Sequence, residues 1–242
     1  MRRVVLLWLA LTAVPWTAVA ADREAAISGE LSRLTNRELE RRLAFLETRF
    51  RAQQTYARYW QTGFTSAWAT GAVLGTVEAS LSSEPDNRVP AIVTAAKAAI
   101  GTTKLLVSPH PARLGAAPLE IQRETRRATL EARVRAGERQ LLAIEHKAHE
   151  RRSWVAHAAN IGLNALGGGI IVAVGNPSDA IQNVGLGILF GEVMLWSMPK
   201  RGIEDLQDYR VFVSESVRRP VEPATSVVIA PMSRGARVEI RF

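Results

Sequence analysis

The stretch RYWQTGFTSAWATGAVLGTVEASLSSEPDNRVPAIVTAAKAAIGTTKLLVSP, residues 58–109, recurs in outline as RSWVAHAANIGLNALGGGIIVAVGNPSDAIQNVGLGILFGEVMLWSMP, residues 152–199. Arg58, Trp60 and Gly75 stand 94 residues before Arg152, Trp154 and Gly169, and Gly101, Leu105 and Pro109 stand 90 before Gly191, Leu195 and Pro199. The offset shrinks because the second tip is shorter. Each copy reads as two apolar limbs joined by breakers, residues 82–87 in the first and 176–179 in the second. A repeat of this size sets the expected architecture as all-α, a tandem duplication of a long amphipathic helix followed by a helical hairpin.

Working outward, each hairpin follows an arm. Leu39, Leu43, Leu46, Phe50 and Ala57 keep helical spacing within residues 23–57, and Leu130, Val134, Leu141, Ile144 and Ala148 do so within 119–151. Glu38/Arg42, Glu47/Arg51 and Glu131/Arg135 are acid-first pairs four residues apart, expected on the exposed sides of the arms. The arms are expected to pack on each other or on those of a second copy, as a short coiled coil or as covers for a shared core. Residues 203–216 read as a shorter helix. Val238, Ile240 and Phe242 alternate with Glu239 and Arg241, which predicts a small C-terminal β-hairpin with Gly235 in the turn. The expected divisions are a signal peptide at 1–20, a first helical repeat at 21–118, a second at 119–202, and a C-terminal helix and β-hairpin at 203–242.

The leader reading rests on Arg2 and Arg3, an apolar run over residues 4–14, and Ala18-Val19-Ala20 before Ala21. It places the mature chain in the periplasm or cell envelope. The chain has no cysteine, which excludes disulfides, thiolate metal sites and a thiol nucleophile. Its formal charge is +8, but acids are interleaved with the arginines, so no basic stripe for nucleic acid forms.

Small residues recur at four-residue spacing along the limbs, as at Gly63, Gly71 and Gly75 and again at Gly187 and Gly191. Glycine in a helix interior costs about 1 kcal/mol relative to alanine, so these five are expected to mark close helix packing. Limbs of this length fit a bilayer, and Tyr59, Trp60, Trp154 and Trp196 near their ends suit an interfacial belt. Against spanning stand Lys97, Lys104, His157, Asn160, Asn164 and Glu192, since a charge at the bilayer centre costs about 2.5–3.5 kcal/mol. With an exported leader, the basic hairpin bases (Arg49, Arg51, Arg58, Arg151, Arg152, Lys200, Arg201) would also face the wrong side for the positive-inside bias.

Lys97 and Glu192 lie in equivalent limbs, and pseudo-symmetric packing would bring them together as a buried charge pair; otherwise both face solvent. Glu145, His146, His149 and Glu150 share an arm but supply too few ligands on one face for a metal site. Gly185, Gly187 and Gly191 lack the strand and the acidic residue of a dinucleotide loop, and Gly167-Gly168-Gly169 lacks the lysine of a phosphate loop. No nucleophile and base fall into a recognisable pattern. The expectation is therefore non-enzymatic, without cofactor or metal: an exported envelope scaffold or interaction module with a protein partner or self-association through its arms. The alternative is a small integral membrane protein whose four short spans form a pore or membrane-remodelling element.

Overall fold

The computed structural model describes residues 31, 33–124, 130–174, 176–218, 226–232 and 235–241. The expected signal peptide and the first residues of the expected first arm lie outside these. The described chain is mostly helical, and it divides into two units, residues 1–206 and 207–242.

In the first unit, α1 (Asn36–Leu81) joins arm and first limb into one helix of 46 residues, about 70 Å long at 1.5 Å per residue. The sequence between Tyr56 and Trp60 holds no breaker, so arm and limb do not separate. Thr35 caps the start, its hydroxyl accepting from the Glu38 amide at 3.3 Å. Then come α2 (Pro85–Val107), a 3₁₀ turn (Pro111–Leu114), α3 (Ala117–Glu124), α4 (Leu130–Arg152), α5 (Trp154–Val174), α6 (Pro177–Trp196) and α7 (Arg201–Arg218), the last running on into the second unit.

The second arm and third limb are separated where the first pair is not. Ser153 stands between α4 and α5, and its hydroxyl accepts from the Ala156 amide at 3.4 Å as a cap would. At the second tip the cap is Asn176. Its side chain accepts from the Ser178 amide at 2.9 Å, and Pro177 fills the first helical position, where a missing N–H costs nothing.

The arms pack on each other within one chain. Leu39, Leu43, Leu46, Phe50 and Ala57 of α1 are buried, as are Val134, Leu141, Ile144 and Ala148 of α4. Gly137 lets the two helices cross closely, because a Cβ there would lie 2.8 Å from Leu46 Cδ1. Arg42, expected on the exposed side, is buried between Glu38 of its own helix (3.6 Å) and Glu138 of α4 (3.7 Å). Arg133 reaches Glu47 at 3.2 Å beside it. Asp205, fully buried, accepts from Arg49 at 3.2 Å and Gln53 at 3.3 Å, tying the start of α7 to α1. The turn before α3 uses Gly115 at φ 58°, a conformation open to glycine, and its carbonyl accepts from Gln140 at 2.7 Å. These helices form a collar with its own apolar core.

Beyond the collar stand four limbs: residues 59–81 of α1, α2, α5 and α6. The second unit contains the end of α7 and two antiparallel strands, β1 (Ser226–Met232) and β2 (Gly235–Arg241), with Val228 opposite Glu239.

Candidate functional site: a polar seam between the hairpins

The four limbs bury little of themselves. In three of the helical stretches, which are long and apolar enough to cross a membrane, only 17–22% of the apolar window lies inside the protein. The first limb, counted with them from sequence, is not among these three. Its outward face is nonetheless apolar, with Val73, Leu74, Val77 and Leu81 exposed. Leu106, Val107, Trp154, Ile170, Leu186 and Leu189 point outward from the other three. Soluble helices turn such faces to the core. Here the pattern is inverted.

Between α2, α5 and α6, however, runs a seam of polar side chains. On α5, His157, Asn160, Asn164, Gly167 and Ile171 recur at alternate spacings of three and four, one face of the helix. Thr94 and Lys97 of α2 and Asn183, Gly187, Gly191 and Glu192 of α6 meet that face. Asn183 donates to the Thr94 hydroxyl at 2.7 Å. Lys97 Nζ donates to Asn183 Oδ1 at 2.5 Å, to the Asn183 carbonyl at 3.4 Å and to Asn164 Oδ1 at 2.9 Å. Asn164 Nδ2 donates to Asn160 Oδ1 at 3.1 Å and to the Asn160 carbonyl at 2.9 Å. Asn160 Nδ2 donates to Glu192 Oε1 at 2.9 Å, and Glu192 Oε2 meets His157 Nδ1 at 2.6 Å. From His157 to Asn164 alone the chain of bonds climbs about 10 Å of helix.

Two apolar clusters bound this seam. Toward the tips, Val93, Ile171 and Ala180 are buried together with Val89 against them. Toward the collar, Trp60, Leu105 and Met198 pack with Phe64, Trp68 and Met194. Phe190 joins α6 to α1, its ring 4.7 Å from Trp68 and 5.6 Å from Phe64, both edge-on. Trp60 donates to the Ser197 hydroxyl at 3.2 Å, and Tyr56 donates to the Ser197 carbonyl.

The sequence-marked glycines divide by role. Gly75 is a close helix contact, since a Cβ there would lie 2.8 Å from the Ala95 amide nitrogen and 2.9 Å from the Ala91 carbonyl. Gly71 faces Ala98 Cβ at an ordinary 3.4 Å. Gly187 and Gly191 pack not on a helix backbone but on Asn164 and Asn160, whose side chains occupy the space a Cβ would need. A Cβ at Gly63 would meet nothing within 4 Å, so that position is open.

Lys97 and Glu192 are brought into one network without touching: the amides of Asn164 and Asn160 lie between them. Asn183 and Thr94 went unmarked in the sequence. The available signal was that Asn183, Gly187 and Gly191 share one face at four-residue spacing. On the second arm, Glu145 pairs with His149 at 3.3 Å and Lys147 with Glu150 at 2.8 Å. Among the described residues no group of three or more histidines and acids is placed to hold a metal ion.

In the collar, His110 is buried against Trp60, with ring centroids 6.4 Å apart. Its Nδ1 accepts from the Ala112 amide at 3.2 Å. Burial, reinforced by the nearby Arg151 and Lys147 charges, holds its pKa down to about 4. Comparison with protein-family models, curated proteins and solved structures finds no match.

Proposed function

We propose that this chain is a small, non-enzymatic integral membrane protein: a four-limbed bundle that carries a polar, ion-accessible seam at membrane depth, with the helical collar at one surface. The observation that carries this reading is the inversion, apolar side chains outward and a hydrogen-bonded polar chain inward. Polar groups at membrane depth are costly unless they face the bundle interior and satisfy one another, which is how the seam is built. At about 30–35 Å, α2, α5 and α6 are long enough to cross a bilayer's hydrocarbon layer.

The two hairpins are read as the products of a tandem duplication that diverged. Trp60 is buried where its counterpart Trp154 is exposed, and Gly75 packs on α2 where a Cβ at Gly169 would meet nothing within 4 Å. The paired strands of the second unit are read as the C-terminal β-hairpin. The hairpin bases carry Arg49, Arg51, Arg58, Arg151, Arg152, Lys200 and Arg201, while the tips carry Glu84, Asp86 and Asp179 against Arg88. The positive-inside bias then sets the collar in the cytoplasm. On that orientation the apolar run over residues 4–14 is not a cleaved export signal.

Alkaline carbonate extraction of cell membranes tests the embedding, and the cysteine-free sequence makes labelling clean. Retention in the pellet is expected. Ser83→Cys at a tip should react with a membrane-impermeant maleimide on intact cells, and Thr48→Cys in the collar only after lysis. The second reading, a soluble exported scaffold, draws on Arg2, Arg3 and Ala18-Val19-Ala20. Release by osmotic shock as a chain starting at Ala21 would establish it instead.

A further inference from the structure

We propose that the seam is a site for a small monovalent cation, Na⁺ or K⁺, which takes the place of Lys97 Nζ in exchange for that lysine's proton. The inference rests on the membrane reading above and gives its seam a ligand.

The surroundings of Nζ are the first ground. It lies among three uncharged oxygens, Asn164 Oδ1, Asn183 Oδ1 and the Asn183 carbonyl. Amide and carbonyl oxygens of this kind replace the hydration shell of an alkali cation in membrane proteins. The ammonium thus stands as a tethered cation.

The cage does not depend on the lysine for its shape. Asn183 is oriented by the Thr94 hydroxyl through its Nδ2, and Asn164 by the two Asn160 oxygens through its own Nδ2. Both amides therefore keep their oxygens inward when Nζ leaves. Room is made by glycine on both sides. A Cβ at Gly167 would lie 3.3 Å from Lys97 Cδ, and one at Gly187 would lie 3.1 Å from Nζ.

Charge sets the exchange. The seam holds Lys97 and Glu192, one positive and one negative, with His157 on the acid. The other ionisable groups of the limbs stand toward their ends: Tyr59, Glu78, Asp86, Arg88, Lys104 and Asp179. A second cation beside a charged Lys97 would leave an uncompensated net charge in an apolar surround, which is strongly unfavourable. Entry therefore requires the ammonium to lose a proton. One N–H bond breaks, its electron pair stays on nitrogen, the proton leaves to water, and the metal ion restores the positive charge. Val93 and Ile171 close the tip side, so ion and proton pass beside Glu192 and His157, which are partly exposed.

The test uses the full chain, purified in detergent from membranes that have already resisted alkali. In weakly buffered solution at pH 9, NaCl or KCl should release close to one proton per chain, and choline chloride at equal ionic strength none. Asn183→Leu should abolish the release. Lys97→Met should release nothing, but its melting temperature should rise with NaCl or KCl and not with choline. Absence of salt-specific proton release from the wild type overturns the exchange whatever the variants do. A chain that alkali extracts overturns the membrane reading before any salt is added, so the two failures are distinct.

Discussion

Lys97 and Glu192 are coupled through two aligned amides rather than by contact. Asn164 accepts from the lysine and donates to Asn160, and Asn160 donates to the glutamate, so each amide presents oxygen to the positive side and nitrogen to the negative. Dipoles in this order extend an ion pair beyond its direct reach, and hydrogen bonds in series polarise one another.

A double-mutant cycle on Lys97→Met and Glu192→Gln should show the coupling, at about 0.5–3 kcal/mol. Repeated in an Asn160→Leu background, it should fall to near zero, because the bridge is cut while both charges stay. Thermal unfolding in detergent at constant salt reads both cycles. Equal coupling with and without Asn160 would show that the charges act directly through space.

The glycines give a second, graded prediction. At Gly187 and Gly191 a Cβ would occupy space held by Asn164 Oδ1 and Asn160 Oδ1. Alanine there should lower stability by about 1–3 kcal/mol through overpacking. Gly75→Ala meets backbone rather than a movable side chain and should be at least as damaging. Gly71→Leu should separate α1 from α2, since even a Cβ already reaches Ala98. Gly63→Ala and Gly162→Ala meet nothing within 4 Å and should be neutral or stabilising by up to about 1 kcal/mol. Melting temperatures that fail to separate these groups would sink the assignment.

The division of roles among those glycines also shows what the sequence carried. Four-residue spacing marks a helix face and says that something lies close to it. It cannot say whether the neighbour is the Ala95 backbone, as at Gly75, or an asparagine side chain, as at Gly187. The arm stripe from Leu39 to Ala57 was legible because helical periodicity is local, and all five residues are buried. Arg42 was misplaced because its charge suggested solvent, whereas Glu138, distant in sequence, supplies its buried partner. The polar residues of the limbs read at first as objections to a membrane. Their partners come from three different helices, and only the fold reveals that they satisfy one another.

Asp205 offers a test confined to the collar. Its buried carboxylate holds Arg49 and Gln53 across more than 150 residues of sequence. Asp205→Ala removes both bonds and should cost about 1.5–3 kcal/mol, the range for hydrogen bonds to a charged group. Asp205→Asn keeps an acceptor and should cost less. Thermal unfolding of the two variants measures the difference. Losses of equal size would mean that the charge, not the bonding geometry, does the holding.

His110 predicts a pH dependence whose sign follows from its burial. The ring's ordinary pKa is 6.5 and its folded value is about 4, lowered first by burial and then by Arg151 and Lys147, with the Pro199 backbone acting weakly the other way. Between those values the unfolded chain binds a proton that the folded chain refuses, so folding loses stability as pH falls. The contribution is intact above about pH 6.5 and declines toward pH 4, by up to about 1.4 kcal/mol per pH unit. Asn at this position can still accept from the Ala112 amide but does not titrate. His110→Asn should therefore flatten the fall in melting temperature between pH 6.5 and 4 relative to the wild type, the other histidines being common to both. Parallel curves for the two proteins across that window would mean that the buried ring is not what makes the collar acid-sensitive.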